Sequence, residues 1–219
     1  MKKAEGVIFD MDGLIFDTER LSLSIYRKIF KKYGYILNED VFMSIMGRDR
    51  EDIRQIYMDN YGRDLPLDKI FKEKDKETLK CINENGVPIK SGVYEILNFL
   101  NEGGYKTALA TSSMRKRTDM LMETAGIRHM FSAVVCGDEV EKSKPNPEIF
   151  LKAAKKLNLD PGKCIVLEDS PAGITAAARA GMIPINIPDL KSPDDEMREK
   201  AYRIFSSLSD VVDYLKNAE

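Results

Sequence analysis

Asp10 and Asp12, in the run GVIFDMDG that starts at Gly6, place two carboxylates on one side of an extended chain, because residues two apart in a strand share a face. At the end of an apolar strand such acids repel each other unless a cation or a proton lies between them. Three more polar clusters follow or precede apolar runs: Thr111-Ser112-Ser113 after KTALA, Lys144 just before Asn146-Pro147, and Glu168-Asp169 after CIVL. A hydroxyl beside the free N–H groups of a helix start is a phosphate cradle. The carboxylates form an oxygen-rich set suited to a hard cation, for which Mg²⁺ with retained waters is the natural occupant. Singly, Thr111 is a helix cap and Lys144 a surface lysine. Together, at successive strand ends, they describe a site for a phosphoryl group and a divalent cation.

The rest of the composition narrows the chemistry. The chain has 219 residues, a net charge of -2 and a single histidine, His129. Bulk electrostatics therefore gives no reason to expect a nucleic-acid or membrane partner. One histidine excludes a histidine-rich metal site and leaves acid–base work to carboxylates or lysines. Three widely spaced cysteines, Cys81, Cys136 and Cys164, fit neither a disulfide framework nor a zinc site. No apolar stretch approaches the ~18 residues of a membrane span, and the N-terminus does not read as a signal peptide. A cytoplasmic location and a small-molecule partner are expected.

Elements that could hold these residues are legible in the spacing. From residue 92 onward the chain alternates helix and strand: VYEILNFLNEG, KTALA, a helix from about Met114 to Gly126, AVVC, a helix begun by Asn146 as N-cap and Pro147, CIVL, a helix begun by Ser170-Pro171, and IPINI. That rhythm predicts a Rossmann-like α/β fold, a parallel sheet with helices on both faces. Residues 18–87 break it with four helical segments and no strand, which predicts an inserted all-helical domain. The expected division is a discontinuous catalytic core, 1–17 with 88–219, and a helical cap, 18–87.

The segments DMDGLIFDTE, TSS, SKPNPEIF and LEDSPAGI resemble, in order, the four motifs of the haloacid dehalogenase-like superfamily. They are closest in pattern to its branch of sugar phosphatases and β-phosphoglucomutases with a helical cap. The resemblance implies that Asp10 attacks phosphorus to give an aspartyl-phosphate, and that Asp12 protonates the leaving oxygen and then activates water. It also implies phosphoryl binding by Thr111, Ser112 and Lys144, with Mg²⁺ held by Asp10, the Asp12 carbonyl, Asp169 and, directly or through water, Glu168.

Aspartate at position 12 argues for phosphate-ester chemistry, since a dehalogenase of this fold needs no second acid there and a cation-pump ATPase carries threonine. A receiver-like or non-catalytic module is the remote alternative; it would have a shorter chain and its lysine last, whereas here Lys144 precedes Glu168-Asp169. Between hydrolase and isomerase the cap is the evidence. Gly47 and Arg50 match the loop with which mutases grip a second phosphate, and Lys80 matches a mutase lysine, but Met46 and Ser22 stand where a basic residue and a histidine are expected. The reading is a monomeric Mg²⁺-dependent phosphatase of a small phosphorylated metabolite, a sugar phosphate first among them, with β-phosphoglucomutase as the alternative. Arg48, Arg50 and Lys80 are the candidate substrate-reading residues of the cap.

Overall fold

Four buried residues bring the chain in as β1 (Gly6–Phe9), after which it leaves the sheet for α1 (Thr18–Lys32), α2 (Glu39–Ile45), α3 (Arg50–Tyr61) and α4 (Leu67–Asn85). It returns through α5 (Val93–Glu102), β2 (Lys106–Ala110), α6 (Arg115–Thr124), β3 (Ala133–Val135) and α7 (Glu148–Leu157). Then follow β4 (Cys164–Glu168), α8 (Pro171–Arg179), β5 (Ile183–Asn186), α9 (Asp195–Lys200), β6 (Arg203–Ile204) and α10 (Leu208–Asn217). This computed structural model describes residues 4–46, 48 and 50–217. The chain divides into two compact units, Met1–Phe16 with Ile89–Glu219, and Asp17–Pro88.

The first unit is a parallel six-stranded sheet in the order β3-β2-β1-β4-β5-β6. The chain runs outward from β1 to β3 and then crosses back to β4, so the direction of winding reverses between β1 and β4. In such sheets the crevice at that reversal, at the carboxyl ends of the strands, is where ligands bind. Alternation along β1 supplies both faces with apolar side chains: Val7, Ile8 and Phe9 are all fully buried. Ile8 joins Ala108, Ala110, Val135 and Val166 against Ile149, Phe150 and Ala153 of α7. Alanines on the strands leave room for Phe150, which in turn lies 4.8 Å beneath the Lys144 ammonium.

Two local expectations differ. The helix expected to open at Asn146-Pro147 starts one residue later, at Glu148, with the Asn146 side chain accepting from the Glu148 N–H at 3.0 Å. Strand β6 carries no sequence signal because it is two exposed residues pairing at the sheet edge. The start at Ser170 is as expected, its hydroxyl accepting from the Gly173 N–H, and Gly181 ends that helix at φ +70°.

The helical unit has its own core. Tyr26, Phe30, Phe42 and Tyr57 meet with ring centroids 5.3–6.2 Å apart, and Tyr57 is fully buried. Asn38 caps α2 by accepting from the Asp40 N–H, and Lys32 pairs with Glu73 to tie α1 to α4. Among the described residues no helix is long and apolar enough to cross a membrane.

Candidate functional site

Strand register assembles the site. Phe9 lies level with Leu109 on one side and Leu167 on the other, so the next residues, Asp10, Ala110 and Glu168, stand abreast at the sheet's carboxyl edge. Lys144 spans all three: its ammonium donates to Asp10 Oδ1 at 2.5 Å, to the Ala110 carbonyl at 3.2 Å and to Glu168 Oε1 at 2.8 Å. Its side chain is 6% exposed. Burial by itself would lower the Lys144 pKa, but Asp10 and Glu168 outweigh burial and hold the group charged well above its usual range.

The second oxygen of Glu168 accepts from the N–H and the hydroxyl of Ser170, which leaves this carboxylate fixed at both ends. Gly173 lies directly against it: a Cβ there would stand 1.7 Å from Glu168 Oε1. Gly13 does the same for Asp169. It turns at φ +81°, and an added Cβ would sit 2.3 Å from Asp169 Oδ2 and 3.4 Å from Asp189 Oδ2. Asp189 has no signal in the sequence beyond a loop PDL after the fifth strand. Its side chain is buried, and Lys90 donates to its Oδ1 at 2.5 Å.

This concentration of acids shows in their titration. Desolvation by burial pushes Asp10 up to about 7, with Lys144 pulling down and Glu168 pushing up. Asp169 is raised well above the ordinary carboxylate range by burial and by the Glu168 and Asp10 charges. The donor set of carboxylates and backbone carbonyl fits a hard divalent cation, and the Asp169 cradle exists only because residue 13 lacks a Cβ. Among the described residues no three His, Cys, Asp or Glu side chains converge as a ready-made cage.

A consequence follows for pH. Below about pH 4 Asp10 is protonated in both folded and unfolded chains. Between there and about 7 the folded protein keeps a proton that the unfolded chain releases, so stability conferred by this group falls as pH rises through that window. In chelator, the melting temperature measured at pH 8 should therefore be lower than at pH 5.5, and Mg²⁺ should raise it more at pH 8. A melting temperature insensitive to Mg²⁺ at both pH values would show that the acids do not share a cation.

Thr111 is buried at the end of β2; its N–H donates to the Val135 carbonyl and its hydroxyl oxygen accepts from the Ser113 N–H at 3.1 Å. The Thr111 hydroxyl proton remains to be donated outward. Ser112 is exposed on the same turn. Asp12 is held by residues that sequence reading passed over: Arg117 of α6 donates to both carboxylate oxygens at 2.7 Å, and the Ser113 hydroxyl donates to Oδ2 at 2.8 Å. An arginine four residues after a serine at a helix start was the available signal.

Arg48 and Arg50 are engaged within the helical unit. Arg50 lies 4.7 Å over the Phe71 ring and 3.6 Å from Asp75, and Arg48 donates to the Ser44 carbonyl with Asp52 at 3.8 Å. Lys80 is exposed on α4. Gly47 lies outside the described residues.

A family model described as haloacid dehalogenase-like hydrolase matches residues 7–187. A phosphorylated carbohydrates phosphatase of Thermotoga maritima is 35% identical over 178 residues, covering 81% of this chain and 82% of its own. A fructose-1-phosphate phosphatase of Escherichia coli is 30% identical over 83% of this chain and 95% of its own. Among solved structures, a β-phosphoglucomutase from Clostridium difficile superposes with a TM-score of 0.73 at 26% identity, covering 98% of each chain.

Proposed function

This chain belongs to the haloacid dehalogenase-like hydrolase family and is a phosphoric monoester hydrolase, and we propose that it releases phosphate from a small phosphorylated carbohydrate through a phospho-Asp10 intermediate. The observation that carries this reading is the Lys144 ammonium bridging Asp10 and Glu168 at the crevice between β1 and β4. An anionic nucleophile facing an anionic phosphate is otherwise repelled, and a buried ammonium beside it lowers that barrier.

Asp10 attacks phosphorus, the bond to the leaving oxygen breaks, and Asp12 gives that oxygen a proton. Water then attacks the phosphoryl group, Asp12 takes its proton, and the bond to Asp10 breaks to release phosphate. Thr111 and Lys144 hold the phosphoryl oxygens throughout, with Ser112 on the same turn. Asp10, Asp169 and the Asp12 carbonyl would hold Mg²⁺, with Glu168 a direct or water-mediated partner; the ion supplies charge neutralisation at phosphorus. Residues 18–87 act as the cap that reads the rest of the substrate. Arg48, Arg50 and Lys80 serve there; the exposed ion pairs of the two arginines, with Asp52 and Asp75, are weak enough to exchange for a substrate oxygen.

The test is a panel of fructose 1-phosphate, glucose 6-phosphate and β-glucose 1-phosphate, assayed for phosphate release with Mg²⁺ and with chelator. Mg²⁺-dependent release from at least one is expected. Isomerisation of β-glucose 1-phosphate without phosphate release would establish the mutase instead, against the departures at Met46 and Ser22. Undiminished release in chelator would sink the metal-dependent mechanism.

A further inference from the structure

Asp12 must meet two oxygens in turn, first the leaving oxygen and then that of water, so the direction of its carboxylate matters as much as its presence. Its backbone is pinned: the Gly13 N–H donates to the Phe16 carbonyl, and Asp12 itself bridges Phe16. Its side chain is fixed from another element. Arg117 Nη2 meets Oδ1 and Nη1 meets Oδ2, both at 2.7 Å, while Nη1 also donates to the Ser113 hydroxyl, which donates in turn to Oδ2. Ser113 lies in the bend just before α6 and Arg117 in that helix's first turn, so the two halves of the clamp are four residues apart on one short stretch of chain.

A planar fork sets the rotation of a carboxylate as well as its position, which a lysine at the same place cannot do. As a source of stability the pair is weak. The side chains of Arg117 and Asp12 are 40% and 24% exposed, and ion pairs at such exposure contribute little to stability. What the geometry does supply is a fixed rotation of the Asp12 carboxylate.

We propose that Arg117 is a positioning residue for the reaction: its fork, backed by Ser113, orients the Asp12 carboxylate toward the leaving oxygen. This rests on the phosphatase reading above. Arg117 acts through Asp12, so its effect is confined to substrates that need Asp12. A sugar alkoxide cannot depart without a proton, whereas p-nitrophenolate can.

The experiment measures kcat/KM, which reports the steps up to departure of the leaving group, for the best sugar phosphate of the panel and for p-nitrophenyl phosphate. Arg117→Ala is expected to lower the sugar-phosphate value about tenfold more than the p-nitrophenyl value, part of the 10²–10⁴ that a general acid contributes. Arg117→Lys should recover only a fraction of that difference. In an Asp12→Ala background, Arg117→Ala should cost nothing further on the sugar phosphate, because the two residues act as a unit. Equal losses on both esters, or losses that add to those of Asp12→Ala, would overturn the assignment and make Arg117 a substrate contact or a structural residue. Full sugar-phosphate turnover in Arg117→Ala overturns it as well. If the wild type hydrolyses neither ester, the phosphatase reading itself fails and the Arg117 proposal falls with it. If Asp12→Ala shows the leaving-group split and Arg117→Ala does not, only the Arg117 proposal fails.

Discussion

Asp10→Asn should abolish phosphate release, by at least about 10⁴-fold, and leave the fold standing. Removing a covalent nucleophile costs that much because binding and charge stabilisation alone recover only a small part of the rate. The amide is close to the carboxylate in shape, so the buried site beside Phe9 and Leu167 needs no repacking. It also carries no charge to desolvate. Since burial already pushes Asp10 up to about 7, loss of its charge removes a repulsion from Glu168 and Asp169. The expected outcome is an inactive protein that, in chelator at pH 8, melts no lower than the wild type. Phosphate release from the sugar-phosphate panel and a thermal melt decide it, and residual turnover within about tenfold of wild type would mean that phosphorus is attacked by something else.

Lys144→Met is expected to do the opposite to stability while also stopping turnover. The ammonium compensates two buried carboxylates at once, and its own side chain is almost wholly out of water. Deleting one partner of a buried ion pair costs about 3–5 kcal/mol, because the remaining charge keeps its desolvation penalty. With Lys144 gone, its charge and its hydrogen bond no longer pull the Asp10 pKa down, so that pKa rises further. The destabilisation should therefore be largest at pH 8 and shrink as pH falls and the acids take up protons. Adding Asp10→Asn to Lys144→Met should return part of the lost stability by removing one stranded charge. A methionine variant that melts like the wild type at pH 8 would show that the Lys144 contacts are not made in solution.

The motif residues were readable because their signals are local. An apolar run that ends in acids, a Thr-Ser-Ser after KTALA, and Ser170-Pro171 before a helix are patterns a few residues long. Period-two and period-3.6 spacing places each at a strand end or helix start. The helical character of residues 18–87 was legible for the same reason. The two-residue β6 was not, because an exposed pair such as Arg203-Ile204 becomes a strand only by having Ile185 and Asn186 beside it.

What only the tertiary structure decided is which side chains face one another across long stretches of chain. Lys144 meets Asp10 and Glu168 because parallel register sets β1 level with β4. Asp189 meets Lys90 ninety-nine residues away, and Arg117 closes on Asp12 across one hundred and five. Arg50 reads in the sequence as an available cation, yet it lies over Phe71 and beside Asp75. Residue types and local periodicity specify the chemistry present at each strand end. Partnership between strand ends depends on the winding of the sheet and on the turns that aim each side chain, and those are set by the packing of the whole core.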